Sequence, residues 1–225
     1  MSDYLIIVAG GTGDRMGAAM PKQFLELAGK PVMMHTIDLF RLWNDKLHIV
    51  LVLHPAFIDY WKELCTHHNF STPTQIIPGG NTRFHSVKNG LDSIPDTDNS
   101  VIGIHDAVRP LVAESTIDYC YRIAREKGTA IPVVELVDSL RVVLEDDSHV
   151  VDRTRYRAVQ TPQCFEGKLI KEAYRQNFRE TFTDDASVVE STGLALNLVN
   201  GNRENIKLTT PSDMLIADAL LRGKA

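Results

Sequence analysis

Three short runs of almost uninterrupted aliphatic residues limit what this chain can fold into. They fall at residues 5–8, 49–53 and 101–104. A strand with one wet face alternates apolar and polar side chains. A run that is apolar at successive positions belongs to a strand covered on both faces. Longer stretches with helical spacing lie between the runs. One starts near Pro31, whose fixed φ suits a first helical turn, and carries Val32, Met33, Thr36, Ile37 and Phe40 on one face. Others cover residues 58–67 and 115–127. The last opens at Thr210-Pro-Ser-Asp213, with a cap residue, a proline at the first helical position and an acid at the third. Alternating strands and helices predict an α/β fold with a mostly parallel sheet flanked by helices. Such sheets bind ligands outside the carboxyl ends of their strands.

One segment breaks this rhythm. Residues 140–144 and 149–152 are apolar-rich and flank the turn Glu145-Asp-Asp-Ser148, which reads as a β-hairpin. A two-stranded arm has too little core to be stable alone, so it should pack on the same subunit or on a second one. With 225 residues and no low-complexity linker, the expectation is a single domain over 1–225, including the arm at about 138–156.

Bulk properties exclude several function classes. The net charge is −5, which argues against a general nucleic-acid footprint while allowing a local basic pocket. No apolar run approaches the roughly 20 residues of a membrane span, and no basic-plus-apolar signal segment is seen. The three cysteines, Cys65, Cys120 and Cys164, are scattered and form no CxxC. They read as inert thiols in a reducing compartment. The expectation is a cytoplasmic protein.

Two constellations carry chemistry. The first, Ala9-Gly-Gly-Thr-Gly-Asp-Arg-Met-Gly17, follows the first strand. It is not a Walker loop, because the nearest lysine, Lys22, lies well past the glycines with no hydroxyl after it. It fits a dinucleotide loop poorly: Met20-Pro21 interrupts any helix, and the second strand ends in Leu53-His54-Pro55 with no acid for a ribose. What remains is a loop whose amides could cradle phosphate oxygens, with Arg15 and Lys22 reaching over them. The alternative is a solvated Arg and Lys on a surface loop.

The second constellation, His105-Asp106-Ala107-Val108-Arg109-Pro110, ends the third strand. A carboxylate there can hold Mg²⁺, which takes one or two carboxylates plus substrate phosphates, and an arginine can grip a phosphate bidentately. A local Asp106–Arg109 ion pair is the competing reading. His105 reads as a packed strand-end residue.

In order along the chain, these stretches resemble one family. They are residues 9–24, 82–91, 105–110, 159–165, 182–187 and 205–213. Over residues 5–213 the chain is similar to the 2-C-methyl-D-erythritol 4-phosphate cytidylyltransferases of the non-mevalonate isoprenoid route. The resemblance implies a nucleotidyltransferase-like, Rossmann-like α/β fold with a protruding hairpin arm. It also implies a homodimer in which that arm crosses to the partner. It implies an enzyme that joins CTP and 2-C-methyl-D-erythritol 4-phosphate with Mg²⁺, giving 4-diphosphocytidyl-2-C-methyl-D-erythritol and pyrophosphate, by attack of the substrate phosphate on the α-phosphorus.

Carried over by position, Arg15, Lys22 and Lys207 match the catalytic cations. Ala9, Gly10, Gly11, Gly80, Arg83 and Ser86 match nucleotide-binding positions. Asp106, Arg109, Ser139, Arg153 and Thr161 match positions around the substrate phosphates, Asp106 also facing the metal and Arg153 reaching in from the partner's arm. This chain departs from the family's common residues at Asp14, Val108, Ser139, Val159 and Asp185. A sibling enzyme using ribitol 5-phosphate, or a non-catalytic nucleotide-binding protein, remains open at this point.

Overall fold

The structure, a computed structural model, describes residues 2–10, 20–95 and 97–223. The chain runs β1 (Tyr4–Ala9), β2 (Glu26–Leu27), β3 (Lys30–Pro31), α1 (Val32–Trp43), β4 (His48–Leu53), α2 (Ile58–His67), β5 (Gln75–Pro78) and α3 (Arg83–Asp92). It continues through β6 (Val101–Asp106), α4 (Glu114–Lys127), β7 (Thr129–Glu135), β8 (Leu140–Val143), β9 (Ser148–Val151) and β10 (Arg157–Val159). It ends with β11 (Gln163–Glu166), α5 (Gly167–Ala173), α6 (Asp185–Glu190), β12 (Leu198–Asn200) and α7 (Pro211–Arg222).

The main sheet has the order β10-β7-β11-β6-β1-β4-β5, with β12 beside β7. The β1 pairings with β4 and β6, and β4 with β5, are parallel. β11 enters antiparallel between β6 and β7. The apolar runs have the cause that their pattern implies. In β1, Leu5 and Ile7 join the core layer of α1, α2 and α4, while Ile6 joins that of α3, α5 and α6. All three are fully buried. In β4, Ile49, Leu51 and Leu53 face one layer and Val50 and Val52 the other. Period-two alternation therefore persists, but both faces are dry.

The helices end where local chemistry stops them. α1 buries Val32, Met33, Thr36, Ile37 and Phe40 as spaced, but Pro31 is its cap and Val32 its first helical residue. α4 closes on Gly128, at φ 84° in the left-handed region that favours glycine. α7 opens with a capping box between Thr210 and Asp213, with Pro211 in its first turn. Among the described residues no helix is long and apolar enough to cross a membrane. The three cysteines are free, and burial pushes the Cys65 thiol up to about 11.

The arm stands apart from the main sheet. Among the described residues β8 and β9 pair only with each other, and Val143 and Val150 are 79% and 70% exposed.

The topology also locates a crevice. From β1 the chain steps outward to β4 and β5, then returns to β6 on the other side of β1. The strand order reverses between β1 and β6, and their carboxyl ends frame the place where α/β sheets bind ligands.

Candidate active site

A cavity of about 770 Å³ opens at that point. Its wall comes from the end of β1 (Val8, Ala9) with Gly10, from Lys22 and Gln23, and from His54 and Pro55 after β4. The 79–86 turn, Asp106 to Val108 after β6, and Lys207 to Thr209 complete it.

On one side the backbone is packed too tightly for side chains. A Cβ on Gly80 would lie 2.5 Å from the His85 Cβ, and one on Gly10 would lie 3.0 Å from the Ser86 Oγ. Ser86 explains the closeness. Its Oγ donates to the Thr82 carbonyl at 3.0 Å and accepts the Gly80 N–H at 3.1 Å. Thr82 caps α3 by accepting the His85 N–H at 3.3 Å. The first turn of α3 thereby presents Arg83 to the cavity.

Asp106 is the centre of the other side. Its carboxylate meets Lys207 Nζ at 2.9 Å, Arg109 Nε at 3.4 Å and Arg83 Nε at 3.9 Å. Burial alone would raise its pKa, but Arg83, Lys207 and Arg109 outweigh it and hold the carboxyl well below the usual carboxylate range. Its N–H donates to the Thr161 Oγ1 at 3.1 Å. The Thr161 hydroxyl in turn lies 3.0 Å from His105 Nδ1, and His105 Nε2 lies 3.0 Å from the Arg109 carbonyl. A carbonyl only accepts, so Nε2 carries the proton and Nδ1 accepts from Thr161. Burial lowers the His105 pKa to about 4, which suits this neutral ring.

Lys22 reaches the far wall, where its Nζ donates to the Thr209 carbonyl at 2.8 Å. Gln23 Nε2 donates to the Ala9 carbonyl at 2.9 Å and ties that segment to β1. Arg83 is fastened from behind. Nη1 and Nη2 donate to the two oxygens of Asp185 at 2.8 and 2.6 Å. Burial would lower the Arg83 pKa, but Asp185 more than compensates and it is raised.

The residues named from sequence thus fall into four groups. Ala9, Gly10, Lys22, Gly80, Arg83, Ser86, Asp106 and Lys207 come together on the cavity wall. Arg109 and Thr161 lie behind it. Arg109 takes the ion pair with Asp106 and donates from Nη1 to the Asn205 carbonyl at 2.7 Å. Ser139 and Arg153 sit on the exposed arm, away from this wall, with Arg153 donating to the Val137 carbonyl. Gly11, Asp14 and Arg15 lie outside the described residues.

Sequence reasoning missed three supports. Asp185 was visible only as part of a polar motif, with no sign that it grips Arg83. Tyr174, whose O–H donates to Asp185 Oδ1 at 2.6 Å, carries no sequence signal. Asn205 was seen only beside Lys207. It is fully buried, donates to the Thr161 carbonyl at 2.8 Å, and accepts on its own carbonyl from Arg109 and Gln160. It thereby locks the irregular segment that carries Lys207.

Among the described residues no three His, Cys, Asp or Glu side chains cluster as a metal site. Asp106 is the one acid on the described cavity wall. That donor set fits a Mg²⁺ that keeps waters and takes its other ligands from phosphates. It does not fit an ion caged by protein alone.

The chain as a whole has close parallels. The profile of the 2-C-methyl-D-erythritol 4-phosphate cytidylyltransferase family matches residues 4–223. The enzyme of that name from Bacteroides thetaiotaomicron is 51% identical over 221 residues, covering 98% of this chain and all of that one. Its counterpart from Porphyromonas gingivalis is 50% identical over 219 residues, covering 97% of each. Among solved structures, 4-diphosphocytidyl-2C-methyl-D-erythritol synthase from Anaerococcus prevotii superposes with a TM-score of 0.81 at 27% identity, over 98% of this chain and 96% of that one. The 2-C-methyl-D-erythritol 4-phosphate cytidylyltransferase of Thermus thermophilus gives 0.76 at 28% identity, over 97% and 98%.

Proposed function

The chain belongs to the 2-C-methyl-D-erythritol 4-phosphate cytidylyltransferase family, and from that premise we propose how its cavity works. The enzyme joins CTP and 2-C-methyl-D-erythritol 4-phosphate in the isoprenoid pathway, giving 4-diphosphocytidyl-2-C-methyl-D-erythritol and pyrophosphate. An oxygen of the substrate phosphate forms a bond to the α-phosphorus of CTP. The bond from that phosphorus to the bridging oxygen of the β-phosphate breaks, and pyrophosphate leaves. The attacking oxygen is already ionised near neutral pH. No general base is needed, and the neutral, fully bonded His105 is consistent with that.

The obstacle is charge. Two polyanions must meet, and charge grows on the leaving group. The observation that carries this reading is the placement of Lys22 and Lys207 on the wall of one cavity at the strand-order reversal, with Lys207 Nζ 2.9 Å from Asp106. Such preorganised cations lower the barrier by positioning and by stabilising developing charge. Gly10, Gly80 and Ser86, with Ala9 and Arg83, line the nucleoside side, where the backbone packs closely. Lys22 serves the triphosphate and Lys207 the phosphate approaching Asp106. Arg15 and Gly11 join the triphosphate side on the resemblance alone. Arg109 and Thr161 hold Asp106 in place.

Asp106 would hold Mg²⁺, which when bound neutralises phosphate charge. Lys207, 2.9 Å from Asp106, is placed to meet the incoming phosphate. The exposed Val143 and Val150 of the arm support a homodimer in which Ser139 and Arg153 complete the partner's site.

Pyrophosphate release tests this reading. The expected result is fast release with CTP and 2-C-methyl-D-erythritol 4-phosphate, and slow release when ribitol 5-phosphate or ATP replaces either. Equal or faster release with ribitol 5-phosphate, or none with any pair, would contradict it.

A further inference from the structure

We propose that Asp185 and Tyr174 are positioning residues that hold the Arg83 guanidinium at the nucleotide side of the cavity, an inference that rests on the reading above. Both terminal nitrogens of Arg83 end on the two oxygens of Asp185, at 2.8 and 2.6 Å. This fork-to-fork pairing fixes the plane of the guanidinium as well as its place. The Nε edge faces Asp106, at 3.9 Å. The Arg83 side chain is 29% exposed, while that of Asp185 is fully buried. Arg83 is therefore a wall residue with a buried anchor. Its charge is matched from behind, so it offers the cavity a directed N–H edge and a fixed shape. Without the anchor, a long side chain with several rotatable bonds would swing onto Asp106 or onto a triphosphate.

The anchor is itself immobile. Asp185 is the first residue of α6, and Gln163 fastens the start of that helix. Gln163 Oε1 accepts the Ala186 N–H at 2.8 Å, and its Nε2 donates to Asp184 Oδ2 at 2.8 Å. Tyr174 supplies the third donor to the Asp185 carboxylate, at 2.6 Å. A buried carboxylate needs each of its partners, since an unmet lone pair there is costly. Burial first, and Asp185 second, push the Tyr174 phenol well above its ordinary range, so it remains a donor. The Tyr174 ring stacks on Phe84 at 4.7 Å and 18°, and Phe84 follows Arg83 in α3. The contacts close a circuit from Arg83 to Asp185 to Tyr174 to Phe84 and back.

Tyr174→Phe is the sharpest probe, because it removes one hydroxyl and keeps the stacked ring. CTP affinity by calorimetry and steady-state turnover would be measured for wild type, Tyr174→Phe, Arg83→Lys and the double variant, with Asp185→Asn beside them. The expected result is a roughly three- to tenfold loss of CTP affinity in Tyr174→Phe. The KM for CTP rises with it and the KM for 2-C-methyl-D-erythritol 4-phosphate does not change. In the Arg83→Lys background the same change has less than about a twofold effect, because the two act through one guanidinium. Asp185→Asn moves in the same direction and further. If Asp185→Asn does not fold, the Tyr174–Arg83 cycle decides alone. Wild-type CTP affinity in Tyr174→Phe, or an equal loss in both backgrounds, would overturn the proposal. Absence of pyrophosphate release by wild type would instead contradict the function assigned above, and the CTP-binding cycle would still decide the role of Tyr174 and Asp185.

Discussion

Thr161 shows how much of this site is held by single atoms. Its hydroxyl accepts from the Asp106 backbone and donates to His105, and both groups are buried. Thr161→Val keeps the shape and removes both bonds, leaving two buried polar groups unmet. The expected cost is about 2 kcal/mol of unfolding free energy in urea titration, whereas Thr161→Ser stays near wild type. Equal stability of all three proteins would show that the hydroxyl positions nothing. At this scale the sequence was informative about residues that sit on or just after strand ends. Asp106 stood at the end of an apolar run, and Lys207 in a motif with its own order. Asp185 and Tyr174 were not legible as partners of Arg83. They lie about 100 and 90 positions away from it, and only the packing of α3, α5 and α6 against one sheet face brings them together.

Among the elements, the central strands were readable because burial on both faces removes the polar half of their pattern. α3 was not, although it carries Arg83 and Ser86. Its residues are largely polar, and Gly90 interrupts any helical stripe. The structure supplies the reason for that glycine: a Cβ there would lie 3.0 Å from Ile6 Cγ2 and 3.1 Å from Val52 Cγ2, so the helix rests directly on β1 and β4. β11 was equally hidden, because antiparallel insertion between β6 and β7 leaves no local mark. α7 was legible from its capping box. Asp213 accepts from the Thr209 and Thr210 amides, each at 2.7 Å, and so fixes the turn whose Thr209 carbonyl receives Lys22. Burial would raise its pKa, but those hydrogen bonds lower it. A carboxylate with a depressed folded pKa contributes stability above its ordinary value near 3.8 and loses it as pH falls through the folded value. Asp213→Ala should cost about 1 kcal/mol at neutral pH. The difference from wild type should close toward acid pH in thermal unfolding. A gap that widened toward acid pH would contradict the assignment.

For the whole molecule, the arm is the feature that one chain leaves unfinished. Val143 and Val150 lie on one face of the hairpin, exposed, with no core of their own. A second copy is the occupant that the proposed dimer supplies. Val143→Asp with Val150→Asp should convert a dimer to a monomer in sedimentation velocity and reduce turnover, since Arg153 would no longer reach the partner's cavity. A wild-type monomer with full activity would contradict the arm exchange. The sequence announced the hairpin through its acidic turn between two apolar-rich runs. An assembly contact at Val143 and Val150 would leave no spacing within one chain to read.

In the proposed mechanism, fixed positive charge in the cavity drives cytidylyl transfer. The most direct measurement is the rate of pyrophosphate release at saturating CTP, 2-C-methyl-D-erythritol 4-phosphate and Mg²⁺ for Lys22→Ala and Lys207→Ala. A fall of about a hundredfold or more is expected in each, as for the loss of one preorganised charge-stabilising donor, with thermal stability near that of wild type. Turnover close to wild type in both variants would contradict it.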